Sequence, residues 1–201
     1  MRRFFPVLAL VLVSALCAAC GDSSVPKLGQ KIVAELKADP LVAEARYSYW
    51  HPGLDDSQEP NIIFSITAAS DAVELPAFQP LISKATEEVW QSKTDLTQIW
   101  YVITAKGFAP PSSTTWPPGG LVPEGKLIQL CVWLARSDTA QPSSSVQPPE
   151  PSSSGGAARW RPHIATNSFN DCKSQENTPE QRFANALSAD LRAKYGLHQT
   201  R

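Results

Sequence analysis

Apolar residues recur at helical spacing in three stretches of the chain and alternate or cluster in four others. Leu28, Ile32, Val33 and Leu36 mark an amphipathic helix over residues 27–38. Asp39-Pro40 stops it, because the residue before a proline is pushed out of the α region. Residues 41–50 predict a strand with Ala43, Ala45, Tyr47 and Tyr49 on one face. Residues 61–69 alternate, with Ile62, Phe64, Ile66 and Ala68 sharing a face. Pro76 suits a helix start, and Phe78, Leu81, Ile82, Ala85 and Val89 continue the stripe to about Ser92. Residues 98–105 and 126–135 are apolar on both faces, which predicts central strands. Thr178-Pro179-Glu180-Gln181 reads as a capping box for a last helix. Its stripe is Phe183, Ala186, Leu187, Leu191 and Tyr195, and Gly196 ends it.

The predicted order is α-β-β-α-β-β-α. It implies an α+β two-layer sandwich, a mostly antiparallel four-stranded sheet with helices on one face. Polar, turn-forming residues separate the elements. Residues 51–60 form a connector containing His51, Asp55 and Asp56. Residues 108–125 are a Pro/Ser/Gly loop around Trp116, a candidate exposed contact residue, since long loops within compact domains often carry function. Residues 137–158 are Pro/Ser-rich and read as a second, solvated insert. A short extra strand is expected within residues 159–169. The domain is therefore expected to run over residues 27–201, with a tether at 20–26.

The start of the chain has a different pattern. Arg2 and Arg3 precede an apolar run over residues 4–16, and Gly21-Asp22-Ser23-Ser24 ends it sharply. A basic start, a short apolar run and a small-residue junction describe a secretory signal. The run is shorter than the ~20 apolar residues that span a bilayer. Ala18-Ala19-Cys20 at its end resembles the lipobox of bacterial lipoprotein precursors. The family pattern has an aliphatic residue three places before the cysteine. Here Cys17 holds that place and Leu16 precedes it. The resemblance implies removal of residues 1–19, acyl chains on Cys20, and an exported chain held on the bacterial cell membrane or envelope. Each buried CH2 of such a chain contributes about 0.8 kcal/mol, so more than one chain anchors stably.

Charge and cysteines add to this reading. Without Arg2 and Arg3 the chain has 16 basic and 19 acidic residues, a net charge of −3. No basic cluster occurs, so nucleic acid is not an expected partner. The membrane, and an envelope protein or lipid, are the expected ones. With Cys17 removed and Cys20 acylated, Cys131 and Cys172 remain. A Cys131–Cys172 disulfide, expected in an oxidising compartment, closes a loop of about 40 residues and stabilises by roughly 3–4 kcal/mol.

Candidate chemistry is sparse. His51, His163 and His198 stand apart in sequence, and no metalloprotease, nucleophile-elbow, P-loop or dinucleotide fingerprint occurs. No catalytic residue, metal or cofactor is expected. The expected function is a non-enzymatic interaction or accessory domain of a membrane lipoprotein. The alternative is a lipoprotein that binds a small apolar or lipid ligand. The first five elements resemble the α-β-β-α-β order of the BON domain of bacterial envelope proteins, with a helix ending at Asp39-Pro40 ahead of a strand. The glycine-bearing second strand of that family is missing. That resemblance implies phospholipid or envelope contact. Tyr47, Tyr49, Trp50, Trp90, Trp100, Tyr101 and Trp133 gather on proposed elements, where a filled core is favoured over a stacking platform.

Overall fold

The computed structural model describes residues 24–50, 59–109, 121–134, 160–162 and 178–198. The elements are α1 (Ser24–Lys37), β1 (Val42–Trp50), β2 (Asn61–Ala68), α2 (Leu75–Gln91), β3 (Gln98–Thr104), β4 (Leu121–Pro123), β5 (Leu127–Trp133), β6 (Trp160–Pro162) and α3 (Pro179–Tyr195). The fold is α+β. The order α-β-β-α-β-β-α is not the observed one, because β4 and β6 add a separate antiparallel ribbon. No helix among the described residues is long and apolar enough to cross a membrane.

The main sheet runs β1-β2-β3-β5 and is mixed. β1/β2 and β3/β5 are antiparallel, while the central β2/β3 pair is parallel. The reason is the α2 crossover, which returns the chain to the end of the sheet where β2 began. The N–H and hydroxyl of Thr97 both donate to the Pro60 carbonyl at 3.0 Å, which pins the start of that pair in register.

All three helices pack on one face of this sheet. The core there joins Ile32 and Leu36 of α1, Phe78, Ile82 and Val89 of α2, and Leu187 and Leu191 of α3 to Ile62, Phe64, Ile66, Ile99, Tyr101, Ile103, Leu130 and Val132. Helix α1 already starts at Ser24, and Val25 is buried. Its buried stripe includes Gly29, where a Cβ would lie 2.6 Å from the Tyr47 ring. Glycine lets that ring slide against the helix backbone, and the Tyr47 hydroxyl donates to the Pro26 carbonyl at 3.1 Å. At the helix end the Leu41 N–H donates to the Asp39 carboxylate at 2.9 Å, turning the chain into β1.

Two expected faces shift. In β1 the pairing slips between Val42 and Glu44, so Val42 rather than Ala43 joins Ala45 and Tyr47 on the helix side. A one-residue bulge reverses the alternation beyond it. In α3 the buried stripe is Gln181, Ala184, Leu187 and Leu191, with Ala186 and Tyr195 exposed. This rotation places polar side chains against the outer edge of β5. Gln181 Nε2 donates to the Cys131 carbonyl at 3.1 Å, and Ser188 Oγ donates to the Trp133 carbonyl at 2.7 Å. Helix α3 thereby satisfies carbonyls that an edge strand otherwise exposes. Its start lies where Thr178 and Pro179 put it, with the Gln181 N–H donating to Thr178 Oγ1 at 3.1 Å, but the expected capping box is not completed: the Gln181 amide turns to β5 and its Oε1 has no hydrogen-bond partner.

Candidate functional site

Beneath the helices the sheet is packed and chemically quiet. Tyr101 is fully buried and stacks on Phe64 with ring centroids 5.6 Å apart. Its hydroxyl lies 2.9 Å from Thr86 Oγ1 and 3.4 Å from the Ile82 carbonyl. Burial drives its pKa well above the ordinary tyrosine range, against the smaller opposing effect of the Thr86 hydrogen bond. Tyr101 is thus a neutral, hydrogen-bonded core residue.

The opposite face carries a second, smaller cluster. Trp100, Val102 and Cys131 are buried there, flanked by Ile63, Leu127 and Trp133, and no helix residue takes part. Strand register orders this face into rows. Trp50, Asn61, Gln98 and Trp133 lie side by side at one end, and Ser48, Ile63, Trp100 and Cys131 form the next row. Arg46, Ser65, Val102 and Gln129 follow, then Glu44, Thr67, Thr104 and Leu127. The charged members, Glu44 and Arg46, are exposed on β1. The two interior strands, β2 and β3, present only apolar side chains, indole, hydroxyls and amides to this face.

The end row contains an unmatched polar pair. Asn61 is 5% exposed and Gln98 1%. Asn61 Nδ2 donates to the Glu59 carbonyl at 3.2 Å, and Gln98 Oε1 accepts from Trp100 Nε1 at 3.2 Å. Those bonds fix both amide orientations. They leave Asn61 Oδ1, an acceptor, and Gln98 Nε2, a donor, buried without a hydrogen-bond partner. Each such atom costs roughly 1–3 kcal/mol. Unmatched buried atoms also occur at Gln181 Oε1 and His198 Nε2; what sets this pair apart is a donor and an acceptor side by side on adjacent strands, about 4.8 Å apart in the sheet.

The predicted site residues are divided by the structure. Cys131 lies buried at the centre of this face. Cys20, Cys172, Trp116, His51 and His163 lie outside the described residues. The proposed aromatic group splits between the two faces. Tyr47, Tyr49, Trp90 and Tyr101 join the helix-side core, while Trp100 and Trp133 join the opposite cluster and Trp50 heads the end row beside them. His198, alone in sequence, is 4% exposed; its Nδ1 lies 2.8 Å from the Trp90 carbonyl, and Trp90 Nε1 donates to the Gly196 carbonyl at 3.1 Å. These bonds fasten the chain after α3 to α2. Among the described residues no group of His, Cys, Asp or Glu side chains could hold a metal ion. Asn61 and Gln98 were not singled out by the sequence. Their signal, an amide heading each of two apolar strands, needs the β2/β3 register before it means anything. No family model, curated protein or solved structure matches the chain.

Proposed function

We propose that this chain is a bacterial envelope lipoprotein whose α+β domain is a non-enzymatic interaction module. In this reading residues 1–19 direct export, Cys20 carries the acyl anchor, and a Cys131–Cys172 disulfide fastens the region around the Trp100 face. The observation that carries the interaction role is that face: its interior strands bury indole and amide groups that no helix covers, and carry no acid–base pair. Such groups suit stacking and hydrogen-bonded recognition rather than proton transfer. The Ala18-Ala19-Cys20 junction supports the anchor.

Processing tests the anchor directly. The wild-type chain, expressed in a bacterium supplied with labelled palmitate, is expected to incorporate label and sediment with membranes. Cys20→Ala is expected to accumulate as an unlabelled, uncleaved precursor. Normal cleavage and membrane retention of that variant would sink the reading. Alkylation of the intact chain under denaturing, non-reducing conditions is expected to leave Cys131 and Cys172 unmodified.

The small-ligand reading keeps one specific support, the Asn61/Gln98 pair, and moves its location. The space between sheet and helices is occupied by fully buried side chains, among them Phe64, Tyr101, Ile82 and Val89. What favours a ligand is then the unpartnered Asn61/Gln98 pair on the opposite face.

A further inference from the structure

We propose that Asn61 and Gln98 form a binding site for a small neutral ligand that presents a primary carboxamide or lactam edge. The inference starts from the two atoms left over when the internal bonds are assigned. Asn61 Oδ1 needs a donor and Gln98 Nε2 needs an acceptor, and both are buried. Neither amide can flip to relieve this without breaking its bond to the Glu59 carbonyl or to Trp100 Nε1. A carboxylate ligand satisfies Gln98 but turns a negative oxygen toward Asn61 Oδ1. An ammonium satisfies Asn61 but turns N–H groups toward Gln98 Nε2. A group that both donates and accepts meets both; a single hydroxyl or water does so with one oxygen, and a primary carboxamide or a lactam does so along the edge that carries its N–H and C=O.

The neighbours fit the remainder of such a molecule. The same row begins at Trp50 and ends at Trp133, and Trp100 lies one row away. Indole faces favour a flat, uncharged body. On the two strands that carry the pair, the rest of this face supplies only Ile63, Ser65, Thr67, Trp100, Val102 and Thr104, so no charge is available there to pay for desolvating an ionic ligand. The site does not depend on the lipid anchor, and failure of the anchor test leaves this inference standing.

Benzamide and benzoate, equal in shape and different in hydrogen-bond pattern, are suitable probes. Titrated into the detergent-solubilised full chain and followed by calorimetry, benzamide is expected to bind saturably. Benzoate is expected to bind at least about tenfold more weakly, the size of one lost hydrogen bond. In 15N-edited NMR, benzamide is expected to shift the Gln98 side-chain N–H resonances. Gln98→Glu keeps an oxygen for Trp100 Nε1 but removes the Nε2 donor, and is expected to lower benzamide affinity by about tenfold or more. Gln98→Met, which brings no buried carboxylate, is expected to do the same if Gln98→Glu fails to fold. Ser65→Ala, on the same face two rows away, is expected to bind benzamide like the wild type. Equal binding of the two probes, no saturable benzamide binding, or unchanged affinity in the folded Gln98 variants would each overturn the proposal. So would a benzamide-soaked crystal showing only a water molecule bridging the two amides.

Discussion

Toward the helices the strands present Ile62, Phe64, Ile66, Ile99, Tyr101 and Ile103, all buried, and the polar atom among them, the Tyr101 hydroxyl, has partners in Thr86 and Ile82. Away from the helices the same two strands present Asn61, Ile63, Gln98, Trp100 and Val102, and two buried polar atoms go without. One backbone, with a period of two, thus carries a face built for stability and a face that gives up some stability. The contrast teaches where to look for recognition. Local conflicts between burial and hydrogen bonding are concentrated at functional sites when the rest of the fold is consistent.

The largest effect is expected on the helix side. Phe64 is fully buried and stacked on Tyr101. Phe64→Ala removes its contacts and leaves a cavity, and is expected to cost about 3–5 kcal/mol in denaturant unfolding. Ile63→Ala, one residue away on the other, half-buried face, is expected to cost less than about 2 kcal/mol. Equal losses at the two positions would break the division of labour between the faces.

Gly29 gives the next effect and a sharper test of packing on that side. Gly29→Ala gains about 1 kcal/mol of helix propensity. Its Cβ meets the Tyr47 ring at 2.6 Å, and overpacking costs about 1–3 kcal/mol. Net destabilisation of about 1 kcal/mol is expected. In a Tyr47→Ala background the clash is gone, and Gly29→Ala is expected to stabilise instead. A double-mutant cycle by urea melts reads the sign change, and no change of sign would show that the ring is not what the glycine accommodates.

The third pair of variants addresses the polar atoms themselves. Thr86→Val deletes a satisfied bond to Tyr101 and is expected to cost about 1 kcal/mol. Asn61→Leu removes an unpartnered oxygen together with the Nδ2 bond to the Glu59 carbonyl, and is expected to be about neutral. Unfolding midpoints compare the two. A loss at Asn61 clearly larger than that at Thr86 would mean that its oxygen is satisfied and that the faces do not differ in this respect.

Much of this contrast was only half legible in the sequence. The alternation Ile62, Phe64, Ile66, Ala68 announces a buried face on β2, and the Thr178-Pro179 start of α3 is found where the capping pattern puts it. The bulge at Ala43 leaves no local signal, because alternation on either side of it looks regular. In α3 the expected stripe is right at Phe183, Leu187 and Leu191 and misplaced at Ala186 and Tyr195, while Gln181 and Ser188 look like surface residues until β5 supplies carbonyls for them. The parallel β2/β3 pair depends on how the α2 crossover returns, and neither strand encodes that by itself. The Asn61/Gln98 site is a product of that pairing, so it lies beyond any reading of single strands. Cys20 and Trp116 are legible only as sequence, since both lie outside the described residues.

The smallest expected effect concerns the outside of the helix layer, where charges join α1 to α2 and α2 to α3. Lys31 Nζ lies 3.0 Å from Glu88, Lys84 Nζ lies 2.7 Å from Glu35, and Lys194 Nζ lies 2.8 Å from Glu87. Lys84 holds Glu35 below its ordinary value of 4.5, and Lys194 with the Tyr195 hydroxyl does the same for Glu87. A depressed carboxylate contributes stability above its unfolded value and loses it as pH falls through the folded one. Lys31 and Lys84 are raised above 10.5 by Glu88 and Glu35, so their contribution is present below that value and lost as pH rises through the folded one. Stability is therefore expected to be level between about 4.5 and 10.5 as far as these groups decide it, and to fall on both sides. Side chains this exposed are strongly screened, so high salt is expected to remove most of the effect. Glu35→Gln with Glu87→Gln is expected to shallow the acid limb in urea melts taken across pH at low salt. An acid limb that keeps its depth in that double variant would assign the pH dependence to carboxylates elsewhere. It would leave the helix layer held to its face by apolar packing and by the hydrogen bonds of Tyr47, Thr86, Gln181 and Ser188.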